Sequence, residues 1–168
     1  MVFRVMRKIM FAIMAVVATT LLTSCDDHYD APQGTRHDFE MRYPNAKDVE
    51  WERKRNHAVV EFYLPGESRD CEAWYTLRGE WVLTRFKIRF SELPEAVQTA
   101  FEQSYGKQTP VDDVERVDRN GKETLYFIEA TILVDGILTD IYLDYNAQGE
   151  LLRTAVDYED YDNIYYYI

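Results

Sequence analysis

The side chains able to do chemistry in this sequence are mostly carboxylates and aromatic rings. Of 168 residues, 30 are Asp or Glu, 13 are Tyr, 8 are Phe and 3 are Trp. His28, His37 and His57 are too far apart for the His-x-x-x-His spacing that sets two imidazoles around zinc. Ser24, Ser68, Ser91 and Ser104 lack the Gly-x-Ser-x-Gly turn of a hydrolase nucleophile, and Ser91, just ahead of Pro94, reads as a helix cap. No two of the seven glycines build a phosphate-binding loop. Cys71 sits beside Asp70 and Glu72, whose charges disfavour a thiolate. The run Asp157-Tyr158-Glu159-Asp160-Tyr161-Asp162 alternates oxygens but lacks the turn glycine and closing glutamate of a calcium loop. No catalytic residue, metal ligand or cofactor is expected, and the chain does not read as an enzyme. The alternative left open by so many acids is a carboxylate-dependent enzyme, or a small-ligand carrier, with its cleft between two halves of the chain.

The rings carry more information than the nucleophiles. Successive side chains of a strand face opposite ways. If Ala73, Tyr75 and Leu77 face a core, Trp74 faces away. If Ile141 and Leu143 face in, Tyr142 faces out beside Asp140 and Asp144. If Leu125 and Phe127 face in, Tyr126 and Ile128 face out. Trp74, Tyr126 and Tyr142 would then share one sheet face with carboxylates, a mixture suited to binding a protein or peptide. The competing expectation is that these rings pair across strands to stabilise an exposed sheet, or are covered by the C-terminal tail.

Two similar stretches must position these rings. In the first, residues 35–90, Phe39 and Tyr43 fall on one helical face and Pro44-Asn45 stops the helix. Val49 and Trp51 alternate with Glu50 and Glu52 as a strand should, and residues 58–64, 73–77 and 81–90 give three more, the second ending at Arg78-Gly79. In the second, residues 91–157, Pro94 opens a helix that carries Val97, Ala100, Phe101 and Tyr105 on one face and ends at Gly106. Strands follow over residues 111–117, 123–134, 137–145 and 151–156, with turns at Asn120-Gly121, Asp135-Gly136 and residues 146–149. Phe-x-x-x-Tyr recurs at Phe39/Tyr43 and Phe101/Tyr105, and Gly-Glu-apolar-apolar at Gly79-Glu80 and Gly149-Glu150. The expected fold is α+β: two tandem helix-plus-antiparallel-meander repeats, with helices packed on one face of an antiparallel sheet. Residues 158–168 form an acidic and aromatic tail. It is either solvated or, through its aromatic end, an edge strand or a segment docked on the sheet.

The N-terminus reads as an export signal. Arg4, Arg7 and Lys8 precede the uncharged apolar residues 9–22, a stretch too short to span a bilayer comfortably. Leu22-Thr23-Ser24-Cys25 then resembles the bacterial lipobox, in which the cysteine receives diacylglycerol. The expectation is cleavage of residues 1–24, lipidation of Cys25 and an outer membrane lipoprotein on the periplasmic or cell-surface side. Residues 25–34 would be a flexible tether. Its acids, Asp26, Asp27 and Asp30, look like a surface-export signal or simply a solvated linker. Removing residues 1–24 takes away three bases and no acid, so the net charge falls from −11 to −14. Such a surface disfavours nucleic acid, and it limits membrane contact to the anchor.

Tyr43-Pro44-Asn45-Ala46-Lys47, followed by Val49-Glu50-Trp51, resembles the opening of the PepSY-like family, as does Leu93-Pro94-Glu95-Ala96-Val97 leading to Phe101 and Tyr105. That family resembles the β-lactamase inhibitory protein and is common among exported Bacteroidetes proteins. The resemblance implies helices on one face of an antiparallel sheet and an exposed opposite face. It also implies a binding role that inhibits or regulates an exported enzyme, and it carries no catalytic residue. Tyr105-Gly106 departs from the usual Tyr-Pro, which implies a longer turn before Pro110.

Overall fold

In a computed structural model of the chain, which describes residues 29–66 and 69–156, two short helices each seat one phenylalanine on a sheet. Helix α1 (Gln33–Arg42) follows Pro32 directly and buries only Thr35 and Phe39. Helix α2 (Glu95–Tyr105) follows Pro94 directly and buries Val97 and Phe101. Proline suits this place because it lacks an N–H and its ring bars the helix from extending backwards. Pro44 stops α1, and Gly106, at φ 98°, ends α2 in a conformation that costs glycine no Cβ clash. Helices this short are marginal alone, so their packing holds them.

Eight strands follow one another in space as in sequence, every neighbour antiparallel: β1 (Lys47–Lys54), β2 (His57–Leu64), β3 (Arg69–Thr76), β4 (Trp81–Lys87), β5 (Val111–Arg119), β6 (Leu125–Val134), β7 (Ile137–Asn146) and β8 (Leu151–Ala155). The α+β architecture expected from the sequence is therefore present as one sheet. The halves join where β4 pairs with β5, from Leu83↔Arg119 to Lys87↔Glu115. Asp135 and Gly136 turn β6 into β7 with φ of 50° and 82°, the positive pair that a two-residue hairpin turn requires.

Both helices lie on the same side. Under α1, Phe39 packs with Ala58, Val60, Phe62, Ala73, Tyr75 and Phe86, and its ring lies 5.0 Å from that of Phe62. Under α2, Phe101 packs with Val114, Ile128, Ala130, Leu143 and Tyr145. Phe86 pairs with Arg116 and Arg116 with Tyr126, so the two cores share a face, and Ile88 touches both. One glycine turn locks each helix to its own half. A Cβ on Gly79 would stand 2.8 Å from Thr35 Oγ1, and one on Gly149 would stand 2.5 Å from the Ala96 carbonyl.

Three details differ from expectation. Ala31 is buried and Tyr29 packs on the first core, so the folded unit starts before the expected tether ends. Val49 is exposed because the β1–β2 register slips between Lys47 and Glu50, where Asp48 takes φ 52°. Leu77 lies past the end of β3 and is exposed rather than turned to the core. Phe39→Ala and Phe101→Ala should each cost about 3–5 kcal/mol in urea unfolding, whereas Leu133→Ala, at an exposed hairpin tip, should stay within about 0.5 kcal/mol.

Candidate functional site on the helix-free sheet face

Strand register lays the charges of the second face in rows. Glu50, Glu61, Glu72 and Arg85 are successive cross-strand partners on β1 to β4. Glu52, Val59, Trp74 and Leu83 form the next row, and Lys87, Glu115, Phe127, Asp144 and Arg153 another. Carboxylates facing each other across strands repel, so each row needs cations. The Lys54 ammonium lies 2.7 Å from Glu52, 2.8 Å from Glu72 and 3.8 Å from Glu61. Burial alone would lower its pKa, but hydrogen bonds to Glu52 and Glu72 outweigh that and hold it well above the ordinary lysine value. The oxygens of Glu52, Glu61 and Glu72 lie within 4.8 Å of one another, close enough to share a metal ion. Lys54 already supplies the positive charge there. Farther along, Arg85 Nε donates to Glu115 Oε2 at 2.6 Å across the joint between the halves.

Between the charged rows lies an apolar cluster that, among the described residues, is drawn from strands: Val59, Trp74, Leu83, Val117, Leu125, Phe127 and Tyr142. Trp74 and Tyr142 sit on the helix-free side, where strand alternation places them, but they are only 8% and 6% exposed. The indole N–H donates to Glu72 Oε1 at 2.6 Å, Lys54 stands 5.6 Å from the ring centroid, and His57 meets the ring edge at 5.6 Å. Burial lowers the His57 pKa. Tyr142 stacks on Phe127, with centroids 6.4 Å apart.

Tyr126 is on the other side. It packs against the α2 core beside Leu93 and Pro94, and Ile128 is buried there too, while Leu125 and Phe127 take the helix-free face. The inward and outward sets expected for this strand are thus exchanged. The reason is physical: Leu125-Tyr126-Phe127-Ile128 is apolar at every position, so alternation cannot choose a side. The pairs Val117↔Leu125 and Arg116↔Tyr126 decide it. Cys25, the leader and residues 158–168 lie outside the described residues.

A groove of about 730 Å³ opens on this face, touched by residues of all six strands from β1 to β6. Among the described residues, Asp48, Glu50, Glu61, Asp70, Glu72, Asp113, Glu115 and Glu129 line it against Arg85 and Lys87, with Phe127 and Tyr63 among its apolar walls. Burial raises the Glu115 pKa, and Arg85 pulls it part of the way back. Burial also raises that of Glu129, partly offset by a hydrogen bond from its cross-strand partner Tyr142. These acids were not singled out from the sequence. The sequence carried a signal for two of them: Glu61 in β2 and Glu129 in β6 each interrupt a largely apolar strand at the parity of the helix-free face.

A raised carboxyl pKa stabilises the fold fully below the unfolded value near 4.5 and loses that contribution as pH rises through the folded value. Glu129→Gln should therefore gain stability relative to the unsubstituted protein between about pH 4 and about pH 7, read by urea unfolding at each pH. A constant difference would show that Glu129 titrates alike in both states.

The match to known proteins fits this architecture. Residues 64–153 match the family described as "Putative beta-lactamase-inhibitor-like, PepSY-like". The chain belongs to that family. A DUF2874 family protein from Bacteroides ovatus ATCC 8483 has a similar structure, with TM-score 0.69 and 24% identity over 81% of this chain and 94% of that one. A BLIP-like protein from Bacteroides fragilis NCTC 9343 gives TM-score 0.65 and 26% identity, over 76% and 86%. A third structure, from Bacteroides eggerthii DSM 20697 and described as among "putative periplasmic proteins", gives 0.68 and 23%, over 76% and 89%. Comparison with curated proteins returns no match. Among the described residues, no helix is long and apolar enough to cross a membrane.

Proposed function

We propose that this is a non-enzymatic, lipid-anchored protein of the cell envelope that binds a protein or peptide across the helix-free sheet face and thereby inhibits or regulates an exported enzyme. The observation that carries the reading is the acidic groove, which gathers eight carboxylates against two cations on the face that no described helix covers. A basic segment of the partner is the complement of that surface. Trp74 and Tyr142, both buried, brace the floor of the site instead of touching the partner. Membership of an inhibitor-like family and the likeness to a BLIP-like protein support inhibition, by analogy of fold.

In the same proposal, residues 1–24 are removed, Cys25 carries the lipid and the outer membrane holds the protein. The stretches 35–90 and 91–157 are copies of one unit. Matching placements support this last point: Pro32, Thr35, Phe39 and Tyr43 recur at the same spacing as Pro94, Val97, Phe101 and Tyr105, and Gly79 and Gly149 each abut the first turn of their own helix. The second reading, a carboxylate-dependent enzyme or ligand carrier, is favoured by the raised pKa values of Glu115 and Glu129 in one groove. Arg85 already engages Glu115, however, which leaves that carboxylate poorly placed for proton transfer.

Glu61→Lys combined with Glu129→Lys should weaken binding to an inhibited exported β-lactamase roughly tenfold or more in calorimetric titration, with a weaker salt dependence. If no enzyme of a β-lactamase panel is bound or inhibited, the inhibitory reading is lost. Cys25→Ala should abolish incorporation of radiolabelled palmitate, and undiminished labelling would remove the anchor.

A further inference from the structure

The chain carries 30 acids against 19 bases, yet arginines gather where the two cores meet on the helix-covered face. Arg116 belongs to that face through its cross-strand partners Phe86 and Tyr126, which pack on the first and second cores. Its guanidinium lies 4.3 Å from the centroid of the Phe86 ring, and a terminal nitrogen stands 3.2 Å from Asp118 Oδ2. Its Nε is buried and meets no hydrogen-bond acceptor among the described residues. A buried donor on a charged group costs more unpaired than an ordinary unmade bond, so this N–H calls for an acceptor. Arg69 donates to Glu92 Oε1 at 2.7 Å, and Glu92 also accepts from the backbone and side chain of Arg89. Arg69 and Arg116 line one cleft of about 250 Å³, walled by Ile88, Leu93, Pro94 and Tyr126.

We propose that this cleft binds a carboxylate that carries a small apolar group, with Arg116 as its principal donor. Three guanidinium groups, Arg69, Arg89 and Arg116, stand against the carboxylates of Glu92 and Asp118 in these ion pairs. That leaves one positive charge for a single anion. A planar carboxylate matches a guanidinium, whose Nε–H and one terminal N–H can donate to it side by side. A phosphate dianion would exceed the available charge and meet the Glu92 carboxylate. The apolar walls take the rest of the ligand. The cavity is smaller than the roughly 300–1,000 Å³ of sites for drug-sized molecules, so it suits a group the size of one amino-acid residue. A free carboxylic acid and the C-terminal residue of a peptide both have this chemistry. The site lies on the face opposite the acidic groove and does not depend on what that groove binds.

Titrating the nitrogen-15-labelled full chain with N-acetyl-L-leucine, while the arginine Nε–H signals are followed by NMR, tests the site. The Arg116 signal should shift saturably, with a Kd in the millimolar range that so small a ligand allows. N-acetyl-L-leucinamide, which lacks the charge, should leave it unmoved. Arg116→Lys keeps the positive charge but removes the buried N–H. It should weaken binding by about tenfold or more, read at the Leu93 amide, with unchanged far-UV circular dichroism. Tighter binding of a leucine-terminated tripeptide than of N-acetyl-L-leucine would assign the site to a peptide end, and equal binding to a free acid. A static Arg116 signal, an equal response to the amide, or a response to inorganic phosphate alone overturns the proposal. Undiminished binding by the folded lysine variant does so too, and the titration of unsubstituted protein decides the matter if that variant fails to fold.

Discussion

The hydrogen-bond ladder between β4 and β5 is the constraint on which the rest depends. It fuses two runs of four strands into a single sheet, from Leu83↔Arg119 to Lys87↔Glu115. Each ladder bond adds only about 1 kcal/mol net, but a buried donor or acceptor left unmade costs more, so the joint tolerates no partial opening. One sheet of eight strands with two short helices has a consequence. The two helices among the described residues cover one side, and on the other the rings, aliphatic groups and ion pairs stand on the strands. Arg85–Glu115 crosses the joint on that second side, and Ile88 bridges the two cores on the first.

The second side solves its problem in two ways at once. In the middle it collects rings and aliphatic groups, and around them it sets rows of opposed carboxylates held by a few cations. Lys54, within reach of three glutamates and above the Trp74 ring, belongs to both arrangements. Rows of like charge are costly in an isolated sheet and useful on a surface meant to meet a basic partner. The negative balance of the whole chain therefore has a location as well as a value. Eight of its carboxylates line one groove on the face that no described helix covers.

Helix positions, strand order and turn sites were legible because short-range physics sets them. Phe39 with Tyr43, and Phe101 with Tyr105, lie one helical turn apart, Pro94 marks the start of the second helix, and Gly79, Gly121, Gly136 and Gly149 take positive φ where the chain reverses. Alternation also placed Trp74 and Tyr142 on the correct side. It failed at Tyr126 because four consecutive apolar residues give a strand no preferred face, and only pairing with β5 supplies one. It also missed that Trp74 and Tyr142 are buried, since facing away from the helices is not the same as facing water.

By itself, the sequence determined the kind of elements, their order and the strong acidity of the chain, because those follow from residue type and near-neighbour spacing. Only the tertiary structure decided that Glu50, Glu61, Glu72 and Arg85 stand in one line, and that Glu115 and Glu129 open onto the same groove. Strand register does this, by bringing side chains more than ten residues apart in the chain to about 5 Å across the sheet. No local pattern encodes it, because each of those residues, taken alone, is an ordinary charged position on a strand.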